Sequence, residues 1–302
     1  MTDPENPVID IAKVQRSFTR AAHCYDDADA LQTEVRDRLL ERLELVLLRP
    51  ARVLDLGSGT GKALPALAAR YPDAEIIGVD LTPDMLQVAA TRIDTPRLVC
   101  GDAARLPFAD QSFDLVFSNL AIHWSPSLDA VLREVRRVMR HPGLFTFTTP
   151  GPNAYRELRD AWRTVDDLPH VMPFPEMRAL GDGMVRAGLV EPVLDTETLT
   201  LTYRNFADLI RDLRATGTTN ATHGRPSGLT GRQHWAQLTS AYEAARASDG
   251  LLPATVEIVF GQAWMPDPAS RAATHRMGMN ASSDEISVPL DILTHRPPRH
   301  SG

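Results

Sequence analysis

Val53-Leu54-Asp55-Leu56-Gly57-Ser58-Gly59-Thr60-Gly61 is the stretch on which the fold turns. An apolar run suited to a buried strand ends in three glycines at alternate positions, and a helix-compatible segment, 63–69, follows. Glycine lets the backbone turn sharply and approach a ligand closely. Amides beyond the turn, at the start of a helix, can meet a negative group. A second apolar strand, Glu75-Ile76-Ile77-Gly78-Val79, closes on Asp80. That acid stands at the separation where comparable sites hold a ribose, and its carboxylate can accept both ribose hydroxyls. Strand, loop, helix and acid together predict a small-molecule site at the carboxyl end of a parallel sheet.

Outward from this loop, strands and helices alternate. Strands are predicted at 52–56, 75–80, 97–100, 113–118 and 144–149. Helices are predicted at 63–69, after Thr82-Pro83, where Thr82 can cap and Pro83 can take the first position, and at 128–139. Pro142-Gly143 is read as the break between the last helix and strand. Such alternation predicts a doubly wound α/β domain with helices on both faces of the sheet. Before it, helices are expected over 13–22 and 31–48, the second on the spacing of Leu39, Leu40, Leu43, Val46 and Leu47. After Pro150 the rhythm changes. Helices are expected at 155–165, 176–187 and 206–216, and one opens at Thr230 with Gln233 completing a capping box. Strands are expected at 196–202 and 256–260. The segment 267–302 mixes Pro, Ser and Arg without periodicity and is expected to be a poorly ordered tail.

The chain has 302 residues, 43% of them hydrophobic, enough for a substantial core. A formal net charge of -7 argues against a general nucleic-acid-binding role, which favours a basic face. The two cysteines, Cys24 and Cys100, form no CxxC pair, and the nine histidines show no HExxH spacing, so neither a disulfide framework nor a metal site is expected. The acidic N-terminus lacks the basic-then-apolar pattern of a secretory leader, and no apolar run approaches the ~20 residues of a membrane span. A soluble cytoplasmic protein is the expectation.

The GxGxG spacing of Gly57, Gly59 and Gly61 is not the GxGxxG of a dinucleotide site, and favours an adenosyl ligand without a pyrophosphate. It resembles the first motif of class I S-adenosylmethionine (SAM) methyltransferases. Gly101-Asp102-Ala103, after the third strand, and Phe113-Asp114-Leu115-Val116-Phe117-Ser118-Asn119, along the fourth, resemble later motifs of that superfamily. The resemblance implies a Rossmann-like seven-stranded, mostly parallel sheet. It implies cofactor contacts from Asp55, Gly57, Ser58, Gly59, Gly61, Asp80, Leu81, Asp102, Ala103 and Asn119, and no metal. Read from the residues alone, Asp102 also suits a loop cap and Asn119 a strand-terminal turn.

The flanking segments are more specific. Ser17-Phe18-Thr19-Arg20-Ala21-Ala22-His23-Cys24-Tyr25-Asp26, Ser118-Asn119-Leu120-Ala121-Ile122-His123-Trp124, Ala161-Trp162, Pro169-His170, Gly224-Arg225 and Leu252-Pro253-Ala254-Thr255 occur in an order that resembles the malonyl-[acyl-carrier protein] O-methyltransferases of biotin synthesis. The similarity covers about residues 13–264. It implies methylation of the free carboxylate of malonyl-acyl-carrier protein, or of malonyl-CoA, with an N-terminal helical lid over 1–50, a SAM-binding core over 51–150, and a substrate- and carrier-binding elaboration over 151–266. Candidates for orienting the carboxylate are Tyr25, His123, Arg214 and Arg225, although Tyr25 also suits simple packing and His123-Trp124 a pocket wall. An acidic carrier needs a basic patch, for which Arg133, Arg136, Arg137 and Arg140, or Arg204, Arg211 and Arg214, are candidates. Three alternatives stay open: methylation of a small free carboxylic acid, an arginine hydroxylase similar to a mitochondrial assembly-factor family with the same core, and a SAM-binding module without catalysis. The oligomeric state is not legible.

Overall fold

The structure, a computed structural model, describes residues 9–93, 97–226 and 228–267. Beyond Asp267 the expected tail lies outside the described residues.

Seven strands form one sheet: β1 Arg52–Leu56, β2 Glu75–Asp80, β3 Arg97–Cys100, β4 Phe113–Ser118, β5 Met139–Pro150, β6 Val190–Tyr203 and β7 Leu252–Trp264, in the order β3-β2-β1-β4-β5-β7-β6. The first five run parallel, and β7 lies antiparallel between β5 and β6. The chain winds from β1 out to β3, then returns to place β4 on the other side of β1. That reversal opens a crevice beyond the carboxyl ends of β1 and β4, where ligands of open α/β sheets bind. The Ser118 hydroxyl, on β4, donates to the Leu56 carbonyl at 2.8 Å and ties the two strand ends together.

Side chains alternate across the pleat, so each strand feeds two cores. Val53 and Leu115 face one with α2 (Ala30–Arg42), α3 (Leu64–Arg70) and helices from the C-terminal half, α6 (Arg156–Arg163), α8 (Phe206–Ala215) and α9 (Arg232–Glu243). Leu54 and Val116 face the other with α5 (Leu128–Val138) and α7 (Met177–Ala187). The remaining helices, α1 (Ile11–Ala21) and α4 (Pro83–Ala89), pack on one another. There the Thr19 hydroxyl donates to Asp84 and the Gln15 amide donates to the Leu81 carbonyl. Ion pairs from Arg38 and Arg42 on α2 to Glu197 and Asp195 on β6 hold the N-terminal half against the C-terminal strands.

Several expectations about element ends are corrected. Helix α2 stops at Arg42, and a single 3-10 turn, Leu43–Leu45, ends it well before Leu48. Leu45 and Leu47 are exposed, so the leucine run there carries helical spacing without a core to meet. Thr82 precedes α4, but its side chain makes no cap; its amide instead donates to Asp80. The capping box at Thr230 is absent, and α9 begins at Arg232 after Gly231. Pro142-Gly143 lies inside β5 rather than before it. Strands β6 and β7 outrun their alternating segments because each pairs with the other almost end to end.

Candidate active site

The glycine loop leaves β1 through Gly57, whose φ of +75° lies in the left-handed region. A Cβ there would sit 2.2 Å from the Cβ of Ala121, so the position excludes every side chain on two grounds. Gly59 differs: a Cβ would meet no protein atom within 4 Å, and the residue lines open space. The amides of Gly57 and Ser58 both donate to the Val79 carbonyl, which holds the loop over the end of β2. Asp80 completes the turn, with Oδ2 accepting the Gly59 amide at 2.9 Å and Oδ1 the Thr82 amide at 2.8 Å.

The crevice is a cavity that opens to solvent, with about 1120 Å³ of empty space counted together with that solvent. Of the candidate site residues, Tyr25, Gly57, Gly59, Asp80, Leu81, Asp102, Ala103, Asn119 and His123 line it. Asp55 and Ser58 line a smaller adjoining cavity of about 420 Å³, which shares Tyr25, Gly57, Gly59 and Asn119 with the first. Gly61 lines neither; it packs against α4, where a Cβ would come 2.7 Å from that of Ala89.

Two candidates are placed elsewhere. Arg225 donates to the Thr222 carbonyl at 2.8 Å and to Asp10 at 3.0 Å, and it does not line the cavity. Its guanidinium fastens the segment after α8 to the start of α1, so the expected grip on a substrate carboxylate is not supported by its position. Arg214, at the end of α8, is exposed and also off the lining.

Burial sets the electrostatics. The Asp80 carboxyl is raised above the usual carboxylate range by desolvation, against the amides of Thr82 and Gly59 that favour its charge. Asp55 is pushed up to about 7 by burial, with a further push from Asp80, and its Oδ2 has no hydrogen-bond partner. The Tyr25 phenol is raised, first by burial and then by Asp29 and Asp80, so it stays protonated and acts as a donor. His123 is lowered to about 3 by burial and is neutral, with Nδ1 also unpartnered.

The sequence reading assigned no role to several residues that complete the walls. Gln32, on α2, lines both cavities with Oε1 unpartnered, while its carbonyl accepts the side-chain amide of Asn119 at 3.0 Å. Asn119 Oδ1 in turn accepts the Thr148 hydroxyl, so this residue clamps α2 to β4 and β5 while lining the cavity. Asp102 keeps its loop-cap role, accepting the Ala104 amide at 2.8 Å, as well as its place on the lining. Lys62, directly after Gly61, pairs with Asp29 at 2.7 Å, and Asp26 accepts from the Thr60 hydroxyl and from Arg92. These contacts strap the segment carrying Tyr25 onto the glycine loop. At the far wall, Trp124 packs edge-on against Phe18 of α1, with ring centroids 5.3 Å apart, and His123 packs against Phe174 at 5.7 Å. Among the described residues, no group of three or more His, Cys, Asp or Glu side chains is placed to hold a metal ion, and no helix is long and apolar enough to cross a membrane.

The strand order, the glycine loop and Asp80 define a class I SAM-dependent methyltransferase fold, and comparison with known proteins agrees. Residues 54–147 match the family described as Methyltransferase domain. The YcgJ protein of Bacillus subtilis shares the fold, with a TM-score of 0.56 at 20% identity over 78% of this chain and 99% of that one. Over 268 residues the chain is 46% identical to the malonyl-[acyl-carrier protein] O-methyltransferase of Laribacter hongkongensis, covering 85% of this chain and 90% of that protein. Over 260 residues it is 48% identical to the protein of that name from Halorhodospira halophila, covering 85% and 88%. The chain belongs to the malonyl-[acyl-carrier protein] O-methyltransferase family.

Proposed function

We propose that this chain methylates the free carboxylate of a malonyl thioester carried by acyl-carrier protein, giving the methyl ester for pimeloyl and biotin synthesis. The observation that carries the reading is the cavity itself. Gly57, Gly59, Asp80 and Asp102 line it together with Tyr25, His123 and the rings of Phe18, Trp124 and Phe174. The reaction places the protein in the cytoplasm, where acyl chains are built.

The cradle suits SAM. The Asp80 carboxylate, held by the Gly59 and Thr82 amides on the cavity lining, would accept the ribose hydroxyls. Gly59 leaves open space for the adenosyl moiety, and Asp102 and Ala103 would border the adenine. The orphaned Oδ2 of Asp55, on the lining of the smaller cavity, offers an acceptor to the amino group of the methionyl end. When bound, SAM supplies an electrophilic methyl group.

A malonyl carboxylate is already ionised at neutral pH, so no strong base is required. Neither Tyr25, with its raised pKa, nor His123, held near 3, offers a stronger one. Their work is orientation. The Tyr25 hydroxyl donates to one carboxylate oxygen and leaves the other free to attack; His123 donates from a neutral imidazole, which fixes the acyl group without quenching its charge. Trp124, Phe18 and Phe174 exclude water from the carboxylate. Holding two reactants aligned supplies up to about 7–11 kcal/mol in the best intramolecular cases. In this reading residues 1–50 are the lid, 51–150 the SAM-binding core, and 151–266 the acceptor-side elaboration that contributes Tyr155, Phe174 and Thr218 to the cavity.

The test is transfer of label from methyl-labelled SAM to malonyl-carrier protein, scored as methanol released by alkali. Alkali-labile label at the acyl group supports a carboxyl ester; label stable to alkali would exclude it.

A further inference from the structure

Three of the seven arginines expected to receive an acidic carrier are committed to this chain's own acids, and none of the seven lines the cavity. Arg137 pairs with Glu134 and Asp110, Arg140 with Asp114, and Arg211 with Asp208. A different cation group stands on a helix that lines the cavity. Helix α1 sends Ile11, Val14 and Phe18 into the lining. Lys13, Arg16 and Arg20 follow one another at three- and four-residue spacing and form a single stripe along the same helix. Arg225 joins the stripe at its N-terminal end, where Asp10 is shared between Arg225 at 3.0 Å and Arg16 at 3.8 Å. Two guanidiniums therefore share one carboxylate, on a chain whose net charge is -7. Arg16 and Arg20 are exposed, and among the described residues the Lys13 ammonium and the Arg20 guanidinium have no hydrogen-bond or ion-pair partner. The crowding is felt at Lys13, whose pKa is lowered first by burial and then by repulsion from Arg225, Arg20 and Arg16.

Within the carrier-protein reading above, we infer that the Lys13, Arg16 and Arg20 stripe of α1 is the docking surface for the acidic face of the carrier protein. Charge complementarity selects the occupant: an acidic protein is attracted to a basic strip on which Lys13 and Arg20 carry no carboxylate partner among the described residues. At 3.6 residues per turn the strip lies on the face of α1 turned away from Ile11, Val14 and Phe18, so a carrier seated there is about 10 Å, one helix width, from the cavity and sends its prosthetic arm around α1 to reach it. Such a rim contact acts on encounter rate and apparent affinity more than on the chemical step.

The double variant R16E/R20E and the milder K13Q/R16Q/R20Q test this, with three malonyl donors: carrier protein, CoA, and the N-acetylcysteamine thioester, which has neither protein nor phosphate. The KM for malonyl-carrier protein is expected to rise about 10-fold or more with kcat within about 2-fold. SAM affinity and turnover of the short thioester should stay at wild-type values, which also reports that the variants fold. Raising salt from about 25 to about 250 mM should weaken wild type toward the variants and leave the variants nearly unaffected. Equal loss on the short thioester would assign the stripe a structural role and overturn the inference. Equal loss on malonyl-CoA would make it a phosphate site instead and do the same. Wild-type kinetics on the carrier, in both variants, would sink this inference alone. A wild-type enzyme inactive on malonyl-carrier protein would sink the reading beneath it as well.

Discussion

Asp80 Oδ2 accepts the amide of Gly59 at 2.9 Å, so the acid that ends β2 also fixes the middle of the glycine loop. One carboxylate thus shapes the cradle and, with its remaining lone pairs, borders the cavity. Binding of the donor and the conformation of the loop are coupled through a single side chain.

Removing that carboxylate should therefore cost more than its ligand contacts. Hydrogen bonds to charged groups contribute about 1.5–3 kcal/mol each, so Asp80→Ala is expected to weaken SAM binding by about 30-fold or more. Titration calorimetry measures it. Unchanged affinity would remove Asp80 from the donor site.

Tyr25→Phe removes a donor but keeps the ring that packs the lid. Turnover should fall about 10- to 100-fold, corresponding to the loss of one oriented hydrogen bond to a charged group, while SAM affinity stays within about 3-fold. Full turnover would leave Tyr25 as packing only.

Gly57→Ala meets two obstacles, the 2.2 Å approach to the Ala121 Cβ and the φ of +75°. A left-handed conformation costs a non-glycine residue roughly 1–3 kcal/mol, and the clash adds to it. Urea unfolding should show a loss of about 2 kcal/mol or more. Adding Ala121→Gly should recover the clash part and not the rest. Full recovery would mean that φ is no obstacle.

Asp55 makes stability depend on pH in a stated direction. Burial raises its folded pKa to about 7, whereas an unfolded aspartate titrates near 3.9. Between those values the folded ligand-free protein holds a proton that the unfolded chain has lost. Stability is then fully present below about 4 and declines as pH rises toward 7, by up to about 1.4 kcal/mol per unit. Asp55→Asn, which cannot ionise, should gain on wild type as pH goes from about 5 to about 8. Parallel urea-midpoint profiles for the two proteins would show that Asp55 ionises normally.

What could be read in the chain follows physical range. The strands β1 to β4 and the loop at Gly57 are local patterns, apolar runs closed by glycine or acid, and their bounds coincide with the structure. Edge strand β6 shows its alternation only over part of its length, because Val190–Val193 is exposed and is held in the sheet by pairing with β7. The cavity residues Tyr25, Asp80, Asp102, Asn119 and His123 each follow a strand end or a motif and were legible. Arg225 was not, since its partner Asp10 lies 215 residues away and no local signal announces the pair. Gln32 and Phe174 look like ordinary helix and loop residues, and only the close approach of α2 and a C-terminal loop to the crevice makes them walls. Lys62 and Asp26 were hidden in the same way, their strap being a contact between the lid and the loop.

The central claim is the acceptor, and one measurement bears on it most directly: methyl transfer from SAM to malonyl-carrier protein beside free malonate and other free diacids, with intact-mass detection of the product. The account expects a single added methyl group on the malonyl-carrier protein and turnover far above that on any free acid. Equal or faster methylation of a free diacid would contradict it.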